Sequence, residues 1–477
     1  MIELSSNIND YIKSNFGDEF LSNYKKFIES KYPGYIRISE DNHFAIIESL
    51  KKQGIELEKI EAIPNTYKIL KGENLIGKTL EHTLGKYYIQ SLSSMIPPLV
   101  LQPTENDIVL DLCAAPGSKS TQLAEMMKFQ GTLYSNEPNF NRVKALIHNL
   151  DKMNAVNMWV LKEKGELLSK VFYEYFDKVL VDAPCSALGV LQKKQEVSNW
   201  WNAKSVDKIS SLQLKLLISA IKAAKVGAEI VYSTCTLTIE ENEFIIDKVL
   251  QKYPVILEEF ELDLPYQNGL TKKADYNFDE SLWLTKRIIP WELKSEGFFV
   301  AKLKKIEGTE KPKTTRVNHQ NSRKIVSVNN KLIKKYILEI SEYFGIDKEL
   351  FNNYKFIVSN KDINFINSDS TEFYPNFFLR IGTKFGIIDK NNSLKLHSHA
   401  AQILGKFAQK NVIELESEEE LKNYFAGGII HRNFLEKGQK IVKYNNYYLG
   451  TAIASEKQLK SRFPRSKRTG KIELSSL

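Results

Sequence analysis

Cysteine is scarce in this sequence. Its 477 residues include three cysteines, Cys113, Cys185 and Cys235. An odd and sparse set of thiols does not build a disulfide framework and is typical of a reducing compartment, so we expect a cytoplasmic protein. No pair or cluster of cysteine and histidine has the spacing of a zinc site, and we therefore expect no bound metal.

Long apolar runs are also missing. No stretch approaches the roughly 18 apolar residues that a membrane-spanning helix needs. The first residues, MIELSSNINDYIK, lack the basic start and apolar core of a signal peptide. We therefore expect no membrane partner.

Acidic residues are outnumbered by basic ones. The sequence has 67 Lys and Arg against 58 Asp and Glu, which gives a formal net charge of +9. Basic side chains that neutralise phosphates release counterions, so this balance favours a nucleic acid as partner. A solvated basic surface would produce the same balance, and charge alone does not decide between the two.

The length and the pattern of apolar residues predict several domains. Residues 76–305 alternate strand-like and helix-like segments, which is typical of an α/β fold with a largely parallel, Rossmann-like sheet. Residues 1–75 predict a small α/β segment that begins with a helix over 9–31, and the polar stretch 306–325 predicts a linker. We expect residues 326–477 to form a separate mixed α/β module, with seven basic residues and no acidic one in 457–471.

Five runs in the central part predict buried strands, and a sixth, GFFVAKLKK at 297–305, predicts a closing edge strand. Ligands of such sheets sit beyond the carboxyl ends of the strands. The five runs are DIVLDLCA, TLYSNE, NMWVLK, DKVLVDAP and EIVYSTCT.

A small-residue turn follows the first of these strands. Its backbone can approach a ligand closely, and the next helix offers free N–H groups at its start. Glu137, just after the second strand, is suited to accept both hydroxyls of a ribose. Together the two features indicate an adenosine-type cofactor, although a helix cap and a surface acid would look alike. The candidate cofactor residues are Cys113, Ala114, Ala115, Pro116, Gly117, Ser118, Lys119, Glu137 and Asp182.

Two cysteines end neighbouring predicted strands. Cys185 lies in the sequence Asp-Ala-Pro-Cys after the fourth strand, and Cys235 lies in Ser-Thr-Cys-Thr after the fifth. A buried cysteine is usually a small core residue, but two at one rim, one of them beside Asp182, suggest chemistry. A thiolate that adds to carbon 6 of cytosine makes carbon 5 nucleophilic enough to accept a methyl group. Asp182 is suited to hold the pyrimidine edge, and Lys119 to add positive charge or a proton.

The central part resembles the RNA cytosine-5 methyltransferases of the Nop2/Sun (Fmu) family. The resemblance implies a Rossmann-like methyltransferase fold that binds S-adenosylmethionine along 113–119, at Glu137 and near Asp182. It also implies that Cys235 is the nucleophile and that Cys185 assists product release, whereas related DNA enzymes attack with the Pro-Cys thiol. The matching segments are LDLCAAPGSKSTQLAEMM, SNEPNFNRVKAL, DKVLVDAPCSALGV and IVYSTCTLTIEENE, with YYIQSLSSMIPP upstream and EGFFVAKLKK downstream.

The C-terminal part is similar to the extension of bacterial rRNA members of the RsmF type, at Leu449-Gly450 and in KSRFPRSKR. This likeness implies a PUA-like RNA-binding module and a 16S rRNA substrate. The resemblance to the Nop2/Sun family implies that residues 1–75 correspond to its N-terminal RNA-binding segment. A tRNA substrate, or an idle RNA-binding assembly factor, is the alternative. We expect a monomer. The chain departs from the family pattern at Arg37-Ile38-Ser39, Lys164-Gly165, Ala187 and Val226-Gly227-Ala228.

Overall fold

The computed structural model describes residues 4–39, 43–193, 196–313, 323–434, 436–469 and 472. Residues 314–322 of the predicted linker, and Gly470 and Lys471 of the basic segment, lie outside these residues. Within the described ranges, no helix has both the length and the apolar character needed to cross a membrane.

The N-terminal part is a helix followed by a small antiparallel sheet with strand order β2-β3-β1-β4. The sheet extends past the predicted boundary at residue 75, because its last strand, β4, follows that boundary and pairs with β1. The first helix changes direction at Gly17, where φ is 87°. The elements are α1 (Ser6–Glu29), β1 (Tyr35–Ile38), α2 (His43–Lys52), β2 (Glu56–Lys59), β3 (Thr66–Lys71), α3 (Leu80–Thr83) and β4 (Tyr87–Ile89).

The central part contains the predicted parallel strands in the order β9-β8-β5-β6-β7. Helices on both faces connect the strands, so the Rossmann-like architecture is confirmed. Its elements are α4 (Ile96–Leu101), β5 (Ile108–Asp111), α5 (Ser118–Met126), β6 (Thr132–Asn136), α6 (Phe140–Lys152), β7 (Met158–Leu161), β8 (Phe176–Asp182), α7 (Val197–Trp200), α8 (Ala203–Ala223) and β9 (Ala224–Thr234).

The strand at 298–305 is not an edge strand, contrary to the prediction. It pairs antiparallel with β9 on one side and with two shorter strands on the other. These short partners carry too little apolar periodicity to be read from sequence. The elements of this region are α9 (Glu243–Leu250), β10 (Val255–Leu257), β11 (Gln267–Asn268), β12 (Lys272–Lys273), β13 (Tyr276–Asn277), β14 (Lys286–Ile288), α10 (Pro290–Leu293) and β15 (Phe298–Lys305).

The C-terminal part is not detached from the central sheet. Its short strand β19 pairs with β7, and the Phe378 ring lies 4.6 Å from the Trp159 ring. A second sheet, β16-β17-β18-β20-β21, starts inside the predicted linker. The elements are β16 (Lys324–Ser327), α11 (Lys334–Phe344), β17 (Tyr354–Ser359), β18 (Asp362–Asn367), β19 (Arg380–Ile381), β20 (Thr383–Ile388), β21 (Leu394–Leu396) and α12 (Ser398–Leu404).

The basic C-terminal segment begins in a sheet, because residues 458–461 form a strand. Strand β26 lies between β25 and β23, and Phe463 after it is 1% exposed. The last sheet has the order β22-β24-β25-β26-β23. Its elements are β22 (Val412–Glu414), α13 (Glu418–Ala426), β23 (Ile429–His431), β24 (Gly438–Tyr444), β25 (Tyr447–Ser455) and β26 (Gln458–Ser461).

Candidate active site

Two thiols meet at the carboxyl edge of the central sheet. Strands β8 and β9 are parallel neighbours, with Asp182 opposite Ser233, so the residues that follow them emerge side by side. The Cys185 Sγ and Cys235 Sγ atoms are 3.0 Å apart. Both side chains are half-buried. The predicted convergence of the two cysteines is therefore what the fold produces.

The loop that carries Cys185 is held by a buried carboxylate, Glu241. Glu241 accepts hydrogen bonds from the backbone N–H of Ser186 at 2.8 Å and from the Thr238 hydroxyl at 2.6 Å. The Gln213 amide donates to it at 2.9 Å and also donates to the Pro184 carbonyl. Burial raises the pKa of Glu241, and these hydrogen bonds oppose that effect. Glu241 thereby fixes the backbone on both sides of Cys185.

The Cys235 loop is fixed in a similar way by Asn242. Its amide oxygen accepts from the Thr234 hydroxyl at 2.6 Å, and its amide nitrogen donates to the Thr236 carbonyl at 3.2 Å. Sequence reasoning did not assign a role to Glu241 or Asn242. The available signal was their place in the segment TIEENE, directly after the Cys235 strand.

Lys119 and Asp182 form an ion pair beside the thiols. The Lys119 Nζ atom lies 2.8 Å from Asp182 Oδ2, and the Ser233 hydroxyl donates to Asp182 Oδ1 at 2.9 Å. Burial opposes the charge of Lys119, but attraction to Asp182 and to Cys235 outweighs burial and raises its pKa. The ammonium is thus kept charged, in a position to stabilise negative charge on the Cys235 sulfur.

Residues ahead of the central sheet hold Lys119 in place. The ammonium also donates to the Ser94 hydroxyl at 3.0 Å, and it lies 5.0 Å from the centre of the Phe298 ring. The Gln90 amide donates to the Ser94 carbonyl at 3.0 Å. Ser94 was missed as a site residue, since only the match of YYIQSLSSMIPP to the family pointed to this segment.

The turn after β5 has the geometry of a ligand-binding loop. Gly117 caps α5 with φ 113°, and a side chain there would press on Leu146. The Arg142 guanidinium donates to the Ala115 carbonyl at 2.7 Å and pairs with Glu137 at 3.1 Å. Glu137 also accepts from the backbone N–H of Asn139 at 2.8 Å. Arg142 therefore links the turn after β5 to Glu137.

Two cavities lie on either side of the thiols. The Glu137 cavity, of about 740 Å³, is bounded by Glu137, Gly165 and Cys185 among others. The Lys119 cavity, of about 360 Å³, is bounded by Lys119 and Ser94 among others. The residues shared by the two walls are Cys113, Ala115, Pro116, Asp182 and Cys235.

The predicted cofactor residues divide between these cavities. Ala114, Ser118 and Lys119 line only the Lys119 cavity, and Gly117 lines neither. Cys185 borders only the Glu137 cavity. Cys235 therefore faces both spaces, as Cys113 does, whereas Cys185 faces one.

The electrostatics distinguish the thiols from one another. The hydrogen bond with Cys235, together with burial, raises the pKa of Cys185 well above its ordinary value. The raised pKa favours the S–H form of Cys185, and either thiol can be the donor in their hydrogen bond. Burial, reinforced by Asp111, also raises the pKa of Cys113, which disfavours a thiolate in the turn.

A groove continues from the Lys119 cavity toward the end of α1. It has a volume of about 520 Å³ and shares Gln90, Ser91 and Lys193 with that cavity. Its far end is formed by Ser30, Lys31 and Tyr32. Among the residues that the structure describes, no group of three His, Cys, Asp or Glu side chains could hold a metal ion.

Comparison with known proteins gives a consistent family. Residues 98–304 match the family model described as 16S rRNA methyltransferase RsmB/F. The chain is 32% identical over 442 residues to ribosomal RNA small subunit methyltransferase F of Shewanella piezotolerans, covering 90% of this chain and 89% of that protein. It is 37% identical over 242 residues to 26S rRNA (cytosine-C(5))-methyltransferase nsun-1 of Caenorhabditis elegans, covering 50% of this chain but 36% of that protein.

A crystal structure of a methyltransferase homologue from Pyrococcus horikoshii superimposes with a TM-score of 0.56 at 27% identity. It covers 62% of this chain and 94% of the other. The shared fold extends across the central sheet and beyond it.

Proposed function

Because this chain belongs to the family described as 16S rRNA methyltransferase RsmB/F, we propose that it methylates carbon 5 of a cytosine in RNA. The observation that carries the proposal is the position of Cys235, which is shared by both cavity walls and lies 3.0 Å from a second thiol. The methyl donor would bind on one side of this sulfur and the target base on the other.

The Glu137 cavity fits S-adenosylmethionine by its chemistry. Its wall has three carboxylates, those of Glu137, Glu166 and Asp182, and one guanidinium, that of Arg142. This excess of negative charge suits a ligand with a positively charged sulfur and amine. Glu137 would hold the ribose hydroxyls. At Gly165 a Cβ atom would lie 2.7 Å from Leu216, so glycine is what lets these two residues of the cavity wall pack closely. When bound, S-adenosylmethionine supplies an electrophilic methyl group.

The Lys119 cavity would receive a cytosine that has left its base stack, at a cost of about a few kcal/mol. The Cys235 thiolate adds to carbon 6, and the electron pair of the carbon 5–carbon 6 double bond makes carbon 5 the nucleophile. Asp182 holds the ring nitrogen and exocyclic amine side of the base. Lys119 keeps Asp182 in position and stabilises negative charge on Cys235 before attack.

Cys185 would act when the product leaves. After methyl transfer, carbon 5 loses its proton to a base, and the electron pair of that bond restores the double bond and expels the Cys235 sulfur. The S–H group of Cys185 is within hydrogen-bond distance of that sulfur and stabilises it as it becomes a thiolate. Without Cys185 the adduct breaks down more slowly.

The similarity over nine-tenths of the chain to a small-subunit rRNA methyltransferase favours 16S rRNA as substrate. The likeness to the longer relative spans about a third of that protein, so it bears on the chemistry alone. The groove between the Lys119 cavity and α1 would guide the RNA strand next to the target base. The N-terminal part and the C-terminal PUA-like module would bind RNA around it.

The substrate in the experiment that tests this function is rRNA isolated from a strain that lacks the protein. With purified protein and labelled S-adenosylmethionine, we expect 5-methylcytidine in 16S rRNA after nuclease digestion. Methylation of tRNA alone would support the alternative substrate. Label in neither RNA, together with no binding of S-adenosylmethionine by calorimetry, would favour an idle assembly factor.

A further inference from the structure

A large cavity lies at the opposite edge of the central sheet, away from the thiols. This junction cavity has a volume of about 760 Å³ and lies where the three parts of the chain meet. The N-terminal part contributes Ser39 and 84–86, and the central part contributes 128–130 with 153, 154 and 156. The C-terminal part supplies the remaining wall, from Asn353 to Tyr448.

The charge of the wall has one sign. Lys86, Lys128 and Lys406 line the junction cavity, one from each part of the chain. Among the described residues of the wall there is no Asp or Glu. Lys128 also pairs with Glu105, outside the wall, at 2.7 Å, but an exposed ion pair of this kind is weak and a phosphate can take the place of the carboxylate. A cavity with three lysines and no carboxylate in its own wall attracts phosphate groups.

The uncharged lining is that of a nucleotide site. Amide side chains, which offer a donor and an acceptor to a base edge, alternate with tyrosine rings on which a base can stack. Asn367 is 1% exposed; its amide nitrogen donates to the Gly131 carbonyl at 2.9 Å, and its buried amide oxygen has no hydrogen-bond partner among the described atoms. The amides are Gln130, Asn154, Asn353, Asn367, Gln402 and Asn446, and the rings are those of Tyr354, Tyr447 and Tyr448.

We propose that the junction cavity binds a nucleotide of the RNA strand, outside the segment that enters the thiol site. The inference rests on the proposed function, because it takes RNA as the partner. The lysines come from three different parts of the chain, which suits successive phosphates of a strand better than one phosphate of a free nucleotide. The cavity lies at the amino ends of β6 and β7, about 17 Å from the carboxyl edge for strands of this length. One RNA molecule would therefore contact both edges of the sheet.

The test uses the full chain and a short random-sequence RNA that contains 4-thiouridine. Two exposed wall residues are changed, Lys406→Gln and Asn446→Ala, with Lys410→Gln as the matched control outside the wall. We expect crosslinks to Tyr447 or Tyr448 in the wild type. We expect Lys406→Gln to weaken RNA binding several-fold and to lower the log–log salt slope by about 0.7, the value of one lost phosphate contact on single-stranded RNA.

Asn446→Ala should weaken binding while leaving the salt slope unchanged, and Lys410→Gln should behave as the wild type. With rRNA as substrate, KM should rise in both wall variants while kcat at saturating RNA stays the same. If the wild type methylates rRNA but both wall variants match it in affinity, salt slope and crosslinks, the cavity assignment falls and the proposed function stands. If the wild type does not bind RNA, both the cavity assignment and the proposed function are wrong. Tight binding of adenosine monophosphate by the same residues would assign the cavity to a free nucleotide and overturn the proposal.

Discussion

The Cys185 and Cys235 sulfurs lie 3.0 Å apart although 50 residues separate them in the chain. Two parallel strands bring the cysteines together, and Glu241 and Asn242 hold their loops. Because Cys235 faces both cavities and Cys185 faces one, these two thiols have different surroundings and are expected to have different roles.

Lys119→Met should lower kcat by about 10²–10³-fold, since it removes the cation that faces Cys235 and leaves Asp182 unpaired. Single-turnover methyl transfer at saturating RNA measures this step. Lys162→Met, a change at an exposed lysine that lines neither cavity, serves as the control. A Lys119 variant with raised KM and normal kcat would contradict the role given to this residue.

Glu241→Gln should destabilise the fold by about 1–3 kcal/mol and lower kcat as well. The new amide nitrogen would replace one of the two oxygens and would point a donor either at the Ser186 N–H, which donates to Oε1, or at the Thr238 hydroxyl, which donates to Oε2. Urea unfolding and single-turnover kinetics check the two effects. The exposed control Glu259→Gln should change neither quantity. Unchanged kinetics in a destabilised Glu241 variant would limit this residue to a structural role.

Stability should fall on acidification because two half-buried histidines, His82 and His397, have lowered pKa values. Burial, reinforced by Lys152, lowers the pKa of His82 to about 4, and burial with nearby cations lowers that of His397 to about 3. The unfolded chain takes up protons near pH 6.5 and the folded one does not, so the stability present above pH 6.5 is lost as pH falls toward 4.

Each such histidine contributes up to about 1.4 kcal/mol per pH unit in that window. His397→Asn keeps an acceptor for the N–H of His399 and removes the titrating ring. The free energy of unfolding, measured in urea between pH 4.5 and 7.5, should depend less on pH in this variant and in His82→Gln. Equal slopes in the wild type and both variants would contradict the prediction.

Phe378→Ala should cost about 3–5 kcal/mol of stability, although Phe378 lies in the C-terminal part. Its ring is 2% exposed and packs on Trp159 and Tyr134 of the central sheet, at 4.6 and 5.4 Å. The exposed control Phe407→Ala should remain within about 0.5 kcal/mol of the wild type. A small loss at Phe378 would mean that the C-terminal part stabilises the central sheet little.

The parallel strands and the meeting of the thiols could be predicted from sequence because both follow from local patterns. Buried parallel strands are continuous apolar runs, and the carboxyl ends of neighbouring strands share one edge. The pairing of β19 with β7 could not be predicted, since Arg380 and Val160 are distant in the chain and β19 is only two residues long. The position of β15 inside the sheet was not predicted either, because the strands that pair with its outer side are also short.

The residues that support the thiols were also beyond sequence reasoning. Glu241 is hydrogen-bonded to Ser186, and Ser94 is hydrogen-bonded to Lys119. The sequence around Glu241 and Ser94 does not indicate these partners. A strand within the basic segment 457–471 was not predicted, because the charge of this segment hides the alternation that buries Leu459 and Ser461 in β26. Whether this segment contacts phosphate remains a prediction.

The central claim is that Cys235 bonds to the target base and that Cys185 helps to release it. The most direct measurement follows the protein on a denaturing gel after incubation with rRNA and S-adenosylmethionine. We predict that Cys185→Ala accumulates a protein–RNA adduct and that Cys185→Ala with Cys235→Ala forms none. Turnover by the single Cys235→Ala variant, or an adduct that persists without Cys235, would contradict the account.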